Sequence, residues 1–226
     1  MKNYSYYHQY ENPTQLSARQ LWLLGTSAMT AQLNKQRHDT LHPYHTAVTP
    51  SQVESGKLCL KRDWDIENLE GLSETLKYLY EEKTYKGVEE NWEMLSHQEL
   101  VASGRFGEEL KEYRNVMDML RHYQFGLPSS DYAWHYGRSS WVIREAYLCG
   151  YITEEEAWGL LEENGRRIKD SFASWESFGL SYVVGAQYWK RNQYTEASVS
   201  RYYDHLTFLL TNKHSPWIRI AWDDFE

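Results

Sequence analysis

The amino-acid sequence predicts a mainly α-helical protein, folded as a single compact multi-helix domain of about eight helices with little or no β structure. Apolar residues recur at intervals of three and four along most of the chain, which is the spacing of one helix face. The composition changes nowhere abruptly across the 226 residues, and this length suits one large domain. We therefore assign residues 1–15 to a polar N-terminal arm and residues 16–226 to one helical domain.

The amino-terminal part of the chain contains two helices with clear start signals. Ser17-x-x-Gln20 has the form of a capping box, and the apolar spacing after it predicts a first helix of about seventeen residues. Between the helices, residues 38–56 contain two prolines and are typical of a long connection, and residues 57–61 are a possible short strand. Asn68 is placed to cap the next helix, whose apolar stripe is Leu69, Leu72, Leu76 and Leu79.

Six further helices are predicted by the same criterion, and they cover residues 88–101, a segment after Gly107, and residues 131–148, 153–170, 174–190 and 195–210. A second capping box, Thr153-x-x-Glu156, begins one of them. Gly179 lies in a helix interior, where glycine is costly, so we expect another helix or a bulky tryptophan to approach it closely. Residues 217–222 alternate between apolar and polar, which indicates a possible short strand docked through its two tryptophans.

Charge and hydropathy limit the classes of function. The chain has 24 Lys and Arg against 32 Asp and Glu, a formal net charge of −8, so nucleic-acid binding is not expected and a basic protein partner is favoured. No run of about eighteen apolar residues is present, so we expect no membrane association. The first residues lack the features of a secretory signal, and the two cysteines form no Cys-x-x-Cys pair. These features predict a cytoplasmic protein.

The motifs of common enzymes are absent from the sequence. It contains no phosphate-binding loop, no dinucleotide-binding glycine motif and no nucleophile elbow. His38, His42 and His45 are close in sequence, but their spacing matches no zinc site and no carboxylate stands at a fixed offset from them. We therefore predict no catalytic residue, no metal and no cofactor.

The candidate functional residues lie on the predicted helix 131–148 and are Trp134, His135, Arg138, Trp141, Arg144 and Glu145. Four of them, Trp134, Arg138, Trp141 and Glu145, fall within about 60° of one another on a helical wheel. Burying an unpaired charge costs several kcal/mol, so these charges must be paired or must line a wet cleft. One interpretation is a structural tie, with tryptophan faces stacked on the guanidinium. The other is a pocket in which Arg138 binds an anion and His135 and Glu145 transfer protons.

Several segments of the chain resemble the bacterial domain-of-unknown-function family 1266. They are Ala133-Trp134-His135-Tyr136-Gly137-Arg138, residues 150–158, Ser174-Trp175 and Gly179-x-x-Tyr182-x-x-Gly185, and residues 63–66 and 215–217 are similar to the family too. The resemblance spans about residues 16–222 and implies a bacterial, cytosolic helical domain, without implying any activity. The family's motif has Asp where this chain has His135, and imidazole is not an acceptor-only group as a carboxylate is. An acid-partner role of this position toward Arg138 or Arg144 is therefore in doubt.

Two hypotheses about function follow from these observations. The first is a non-enzymatic protein-binding module, for example an immunity or antitoxin-like protein that covers a basic toxin; the acidic balance and the missing catalytic motifs favour it. The alternative is a small-ligand binder or an enzyme with an anion-binding cleft around Arg138. The two hypotheses differ in whether Arg138 is enclosed by the protein or faces a cavity.

Overall fold

The computed structural model describes residues 10–44, 47–81, 132–189 and 196–225. Within these ranges the chain is helical and contains no β-strand, which confirms the predicted fold class. The helices are α1 (Ala18–Gly25), α2 (Ala28–Leu33), α3 (Pro50–Trp64), α4 (Leu69–Glu81), α5 (Tyr132–Leu148), α6 (Glu154–Ser171), α7 (Trp175–Trp189), α8 (Glu196–Thr211), α9 (Pro216–Arg219) and a 3-10 helix (Trp222–Phe225). The helices predicted at 88–101 and after Gly107 lie outside the described residues.

Helix α5 is the centre of the domain. It packs against α2, α3, α4, α6 and α7, and its side chains from residue 133 onward are buried on all sides except at Arg138 and Tyr147. A helix that is buried all round has no single apolar stripe. The neighbouring helices are amphipathic, as in α4, where Leu72, Leu76 and Leu79 are buried. The candidate residues on α5 therefore lie in the middle of the molecule.

Buried polar side chains connect α5 to two neighbouring parts of the chain. The amide Nδ2 of Asn164 in α6 donates to the carbonyl of Tyr136 at 2.9 Å and to Ser140 Oγ at 2.6 Å. Ser140 Oγ also lies 2.6 Å from Thr26 Oγ1, just after α1. Because these groups are out of contact with water, their hydrogen bonds fix the position of α5 relative to its neighbours.

The predicted strand at 57–61 and the predicted connection up to residue 56 are wrong, because α3 begins at Pro50. Thr49 and Gln52 form a capping box: Thr49 Oγ1 accepts from the Gln52 N–H at 3.3 Å, and Gln52 Oε1 accepts from the Thr49 N–H at 2.9 Å. Pro50 occupies the first helical position, where its missing N–H and fixed φ are suited to a helix start. It starts a helix here and does not mark a connection.

The single first helix is also wrong, because α1 ends at Gly25 and α2 begins at Ala28. Thr26 Oγ1 donates to the carbonyl of Leu23 at 2.6 Å, and Ser27 Oγ donates to the carbonyl of Leu24 at 2.8 Å. These hydroxyls bond to backbone carbonyls at the end of α1, which is how Ser and Thr compete with helix continuation. The capping boxes predicted at Ser17 and Thr153 are confirmed.

The tail folds as α9 and a 3-10 helix, so the predicted strand at 217–222 is wrong. Ser215 Oγ accepts from the Trp217 N–H at 3.1 Å and Pro216 follows it at the first helical position, which together start a helical turn. The tail is nevertheless docked. The indole N–H of Trp217 donates to the carbonyl of Gly25 at 2.8 Å, and its ring stacks on Trp175 at 5.4 Å with an interplanar angle of 9°.

Two more indoles fasten the tail to the domain. Trp22 donates its N–H to the carbonyl of Trp222 at 2.8 Å, and Trp175 donates to the carbonyl of Ile220 at 2.9 Å. The expected close approach at Gly179 is also present: a methyl group there would lie 2.5 Å from Leu206 and 2.8 Å from the Trp217 ring. None of the described helices combines the length and apolar character that crossing a bilayer requires.

Candidate functional site

The six candidate residues occupy one helix but three different environments. Trp134 and His135 lie in the core, and Arg138 lies near the surface. The other three candidates, Trp141, Arg144 and Glu145, face the 34–44 loop. Arg138 is the one of the six that is only partly buried. The structure therefore separates residues that one helical stripe had grouped together.

Arg144 is completely enclosed and binds the 34–44 loop. Its Nε donates to the carbonyl of Leu41 at 3.1 Å, and its Nη2 donates to the carbonyls of Arg37 at 2.6 Å and Thr40 at 3.0 Å. Its Nη1 donates to Ser27 Oγ at 2.8 Å. Burial lowers the pKa of Arg144 to about 10, so the guanidinium stays protonated at neutral pH. Arg144 is a structural tie between α5 and this loop.

The same loop contains a second arginine held by a carboxylate. Arg37 Nε and Nη2 donate to the two oxygens of Asp39 at 2.8 and 3.0 Å, and Asp39 Oδ2 also accepts from the backbone N–H groups of Glu11 and Asn12. Burial alone would raise the pKa of Asp39, but these hydrogen bonds hold that pKa below its ordinary value. The 34–44 loop is thus held by Arg144 of α5 and by the backbone of residues 11 and 12.

Glu145 points toward a different part of the loop and is only 2% exposed. Its Oε1 accepts from Gln36 Nε2 at 2.6 Å, and Gln36 Oε1 in turn accepts from the Trp141 indole N–H at 2.7 Å. Burial raises the pKa of Glu145 to about 7, against the opposing effects of Gln36 and Arg144. Its Oε2 lies 3.4 Å from the position of a Cβ at Gly56, so α3 packs directly against the carboxyl.

Trp134 and His135 belong to the packed interior. The Trp134 ring meets Tyr182 edge-on at 5.0 Å and lies 6.3 Å from the Trp189 ring. His135 is 1% exposed. Neither residue is among those that line the groove beside Arg138, which is described below.

Arg138 is surrounded by three tryptophans. Its guanidinium carbon lies 4.4 Å from the centroid of Trp64, 4.8 Å from Trp134 and 5.6 Å from Trp189. Stacking on indole faces stabilises the guanidinium. Trp64 and Trp189 were not among the candidates. Trp189 is 54% exposed.

Beside Arg138 lies an open groove with a volume of about 500 Å³, which we call the Arg138 groove. The end of α3 forms one wall and one face of α4 forms another, while Arg138 and Trp189 come from α5 and α7. The lining residues are Arg62, Asp63, Trp64, Asp65, Gly71, Glu74, Thr75, Tyr78, Leu79, Arg138 and Trp189.

The groove carries charges of both signs in unequal number. Arg62 and Asp63 pair with each other through two bonds of 2.6 Å. Within the described residues, the carboxylates of Asp65 and Glu74 form no ion pair, and both side chains are exposed. With Arg62 and Asp63 neutralising each other, the two carboxylates of Asp65 and Glu74 remain on the groove wall.

The histidines of the 34–44 region are used in local hydrogen bonds. His38 Nε2 lies 2.8 Å from Gln32 Oε1, and His42 Nδ1 lies 3.0 Å from the carbonyl of Tyr44, while His45 lies outside the described residues. Across the described ranges, no three His, Cys, Asp or Glu side chains are grouped so that they could hold a metal ion.

Fold and groove together define the class: an all-α domain built around one buried helix, with an aromatic and partly charged groove on its surface. The chain belongs to the family described as "Protein of unknown function (DUF1266)", whose match covers residues 59–222. This confirms the family resemblance. The matched range contains every residue that lines the Arg138 groove. Searches of curated proteins and of solved structures gave no significant match.

Proposed function

We propose that this protein is a non-enzymatic protein-binding module and that the Arg138 groove is its contact surface. The observation that supports this most directly is the exposure of two large aromatic rings on the groove walls. Trp189 is 54% exposed and Tyr78 is 58% exposed. Tryptophan, tyrosine and arginine are the residue types that dominate the binding energy of protein interfaces, and all three line this groove.

The arrangement favours binding over catalysis. The two proton-transfer candidates, His135 and Glu145, are buried and do not line the groove. Arg138 does line it, as the anion-binding alternative requires, but the groove also carries Asp65 and Glu74, which repel an anion. A substrate bound in the groove would therefore meet neither of these proton-transfer candidates.

The net charge of −8 favours a basic partner, because opposite charges speed association and select the partner. An immunity or antitoxin-like role toward a basic toxin is one form that such a function takes. We place this function in the bacterial cytoplasm, in agreement with the sequence features described above. Both cysteines of the chain are free thiols in this fold.

The test is a comparison of groove and non-groove variants in capture experiments from the native host, with partners crosslinked, quantified and identified by mass spectrometry. Trp189→Ala and Tyr78→Ala should each remove most of a specifically captured protein, since truncating such an anchor costs about 2 kcal/mol or more. Leu58→Ala and Ile218→Ala are the matched controls, because both residues are exposed and neither lines the groove.

Thermal unfolding followed by circular dichroism will show that each variant remains folded. The proposal fails if the groove variants capture the same proteins in the same amounts as the two controls. It also fails if the wild-type protein, crosslinked in its host, captures no protein above the background of an unrelated acidic domain.

A further inference from the structure

We infer that the Arg138 groove receives the side chain of an arginine or lysine from a basic segment of the partner, with Asp65 and Glu74 as its acceptors. This inference rests on the proposed function and specifies the partner's chemistry. The occupant follows from two independent properties of the groove, its charge and its exposed aromatic surface.

The charge of the groove selects a cation. Arg62 is already paired with Asp63, and Arg138 is stacked on indole rings, so the exposed carboxylates of Asp65 and Glu74 are the groups left to bind a ligand. A carboxylate binds a guanidinium or an ammonium through charge-assisted hydrogen bonds. An acidic side chain would instead be repelled by both groups.

The aromatic surface of the groove suits the same occupant. Arg138 lies 4.4 Å from Trp64 and 4.8 Å from Trp134, but at 5.6 Å it is farther from Trp189. Trp189 is 54% exposed, so its ring can accept a second cation. The arrangement around Arg138 shows, within the same molecule, how a guanidinium is held by indoles.

The two acceptors are held on helical structure. Asp65 ends α3 in a left-handed conformation with φ of 56°, and its backbone N–H donates to carbonyls of the last turn. Glu74 and Tyr78 stand one turn apart on α4, so the carboxylate and the ring share one face. A volume of about 500 Å³ falls in the range of sites that enclose a small ligand, and it accommodates one long side chain.

The test uses the full chain labelled with ¹⁵N at the tryptophan indoles and observed by NMR. The probes are N-acetyl-arginine amide, the isosteric apolar N-acetyl-norleucine amide, and N-acetyl-glutamine amide as a polar neutral control. We expect the arginine probe to shift the Trp189 indole signal in a saturable manner, with a dissociation constant at least fivefold lower than that of either other probe. The spectrum of Trp189→Phe assigns this signal by its absence.

The double variant Asp65→Asn, Glu74→Gln should raise the dissociation constant of the arginine probe at least fivefold. Asparagine tolerates the left-handed conformation of residue 65, so the backbone is preserved. Glu70→Gln is the matched control, because Glu70 is exposed on the same helix but does not line the groove. We expect it to bind the probe as the wild type does.

The inference is overturned if the norleucine probe binds as tightly as the arginine probe, or if the double variant binds arginine unchanged. Its failure is distinguishable from failure of the proposed function. If Trp189→Ala still loses the captured partner while the arginine probe shows no selectivity, the groove is an interface that recognises something other than a basic side chain.

Discussion

At the level of single residues, the adjacent charged groups of Arg144 and Glu145 are both buried but differ in the number of hydrogen bonds that they form. Arg144 has four acceptors, whereas the hydrogen bond from Gln36 reaches only one oxygen of Glu145. Burial nevertheless shifts both pKa values against the charged form by a similar amount, that of Arg144 down to about 10 and that of Glu145 up to about 7. At neutral pH the arginine therefore keeps its charge, whereas the carboxyl group of Glu145 is close to the midpoint of its titration.

Arg144→Met should lower the free energy of unfolding by about 3 kcal/mol or more, since buried backbone carbonyls lose their donor at about 1–3 kcal/mol each. Urea unfolding measures this change. Arg144→Lys keeps the charge but lacks the planar fork, so we expect an intermediate loss. Wild-type stability in the methionine variant would contradict the role of Arg144 as a tie.

Glu145→Gln should stabilise the protein at alkaline pH. The pKa of the Glu145 carboxyl group is about 7 in the native state, against an ordinary value of 4.5. Between pH 4.5 and pH 7 the native state therefore binds more protons than the unfolded state. Stability therefore falls as pH rises from about 4.5 to about 7, by at most about 3 kcal/mol at 1.36 kcal/mol per pKa unit.

The measurement is the difference in unfolding free energy between Glu145→Gln and the wild type from pH 4.5 to pH 8. We expect this difference to increase with pH and to level off above the native pKa, because glutamine stays neutral throughout. A difference that is constant over this range would show that Glu145 ionises in the native state as it does in water.

At the level of the helices, two glycines distinguish the effect of close packing on stability from the effect of helix propensity. A methyl group at Gly179 in α7 would lie 2.5 Å from Leu206, whereas one at Gly159 in α6 would have no neighbour within 4 Å. Alanine is favoured over glycine in a helix by about 1 kcal/mol. The same substitution should therefore have opposite effects at the two positions.

Gly179→Ala should destabilise the protein by about 1–3 kcal/mol, because Leu206 and Trp217 must move to admit the methyl group. Gly159→Ala should stabilise it by about 0.5–1 kcal/mol. Thermal unfolding of the two variants under one condition compares them directly. Equal changes in the melting temperature would mean that α7 and α8 do not pack as closely as described.

The helix starts were predictable where a capping box stood alone, as at Ser17 and Thr153. The same chemistry at Thr49 and Gln52 was obscured by Pro50, which indicates either a connection or a first helical position. The break after α1 was also hidden, because Thr26 and Ser27 end that helix through side-chain bonds to carbonyls. The spacing of apolar residues gives no information on such side-chain hydrogen bonds, which compete with the backbone bonds of a continuing helix.

At the level of the whole molecule, the fold class was predictable from apolar spacing, but the groove was not. The candidate stripe contains both Arg138 and Trp134, whose ring centroid lies 4.8 Å from the guanidinium carbon. Trp64 and Trp189 come from α3 and α7, and no pattern within one helix indicates that three helices meet there. For the same reason, the sequence could not distinguish the buried Arg144 from the groove-lining Arg138.

The tryptophan contacts between the tail and the rest of the domain, made by Trp22, Trp175 and Trp217, should be a major source of stability. Trp217→Ala should lower the free energy of unfolding by about 3–5 kcal/mol, because it removes a buried ring and its bond to Gly25. Trp217→Phe keeps an aromatic ring and should cost distinctly less. Denaturant titration followed by circular dichroism provides the comparison, and similar losses in both variants would assign the effect to the hydrogen bond.

The same tryptophan contacts also determine when this protein can finish folding during synthesis. Trp22 receives its partner carbonyl from a residue 200 positions later, and Gly25 receives its indole from one 192 positions later. At about 5–20 residues per second, a ribosome needs roughly 10–40 seconds to make that stretch. Helix α1 also packs on α6, but the part of its surface that the tail covers stays exposed until the last helices emerge.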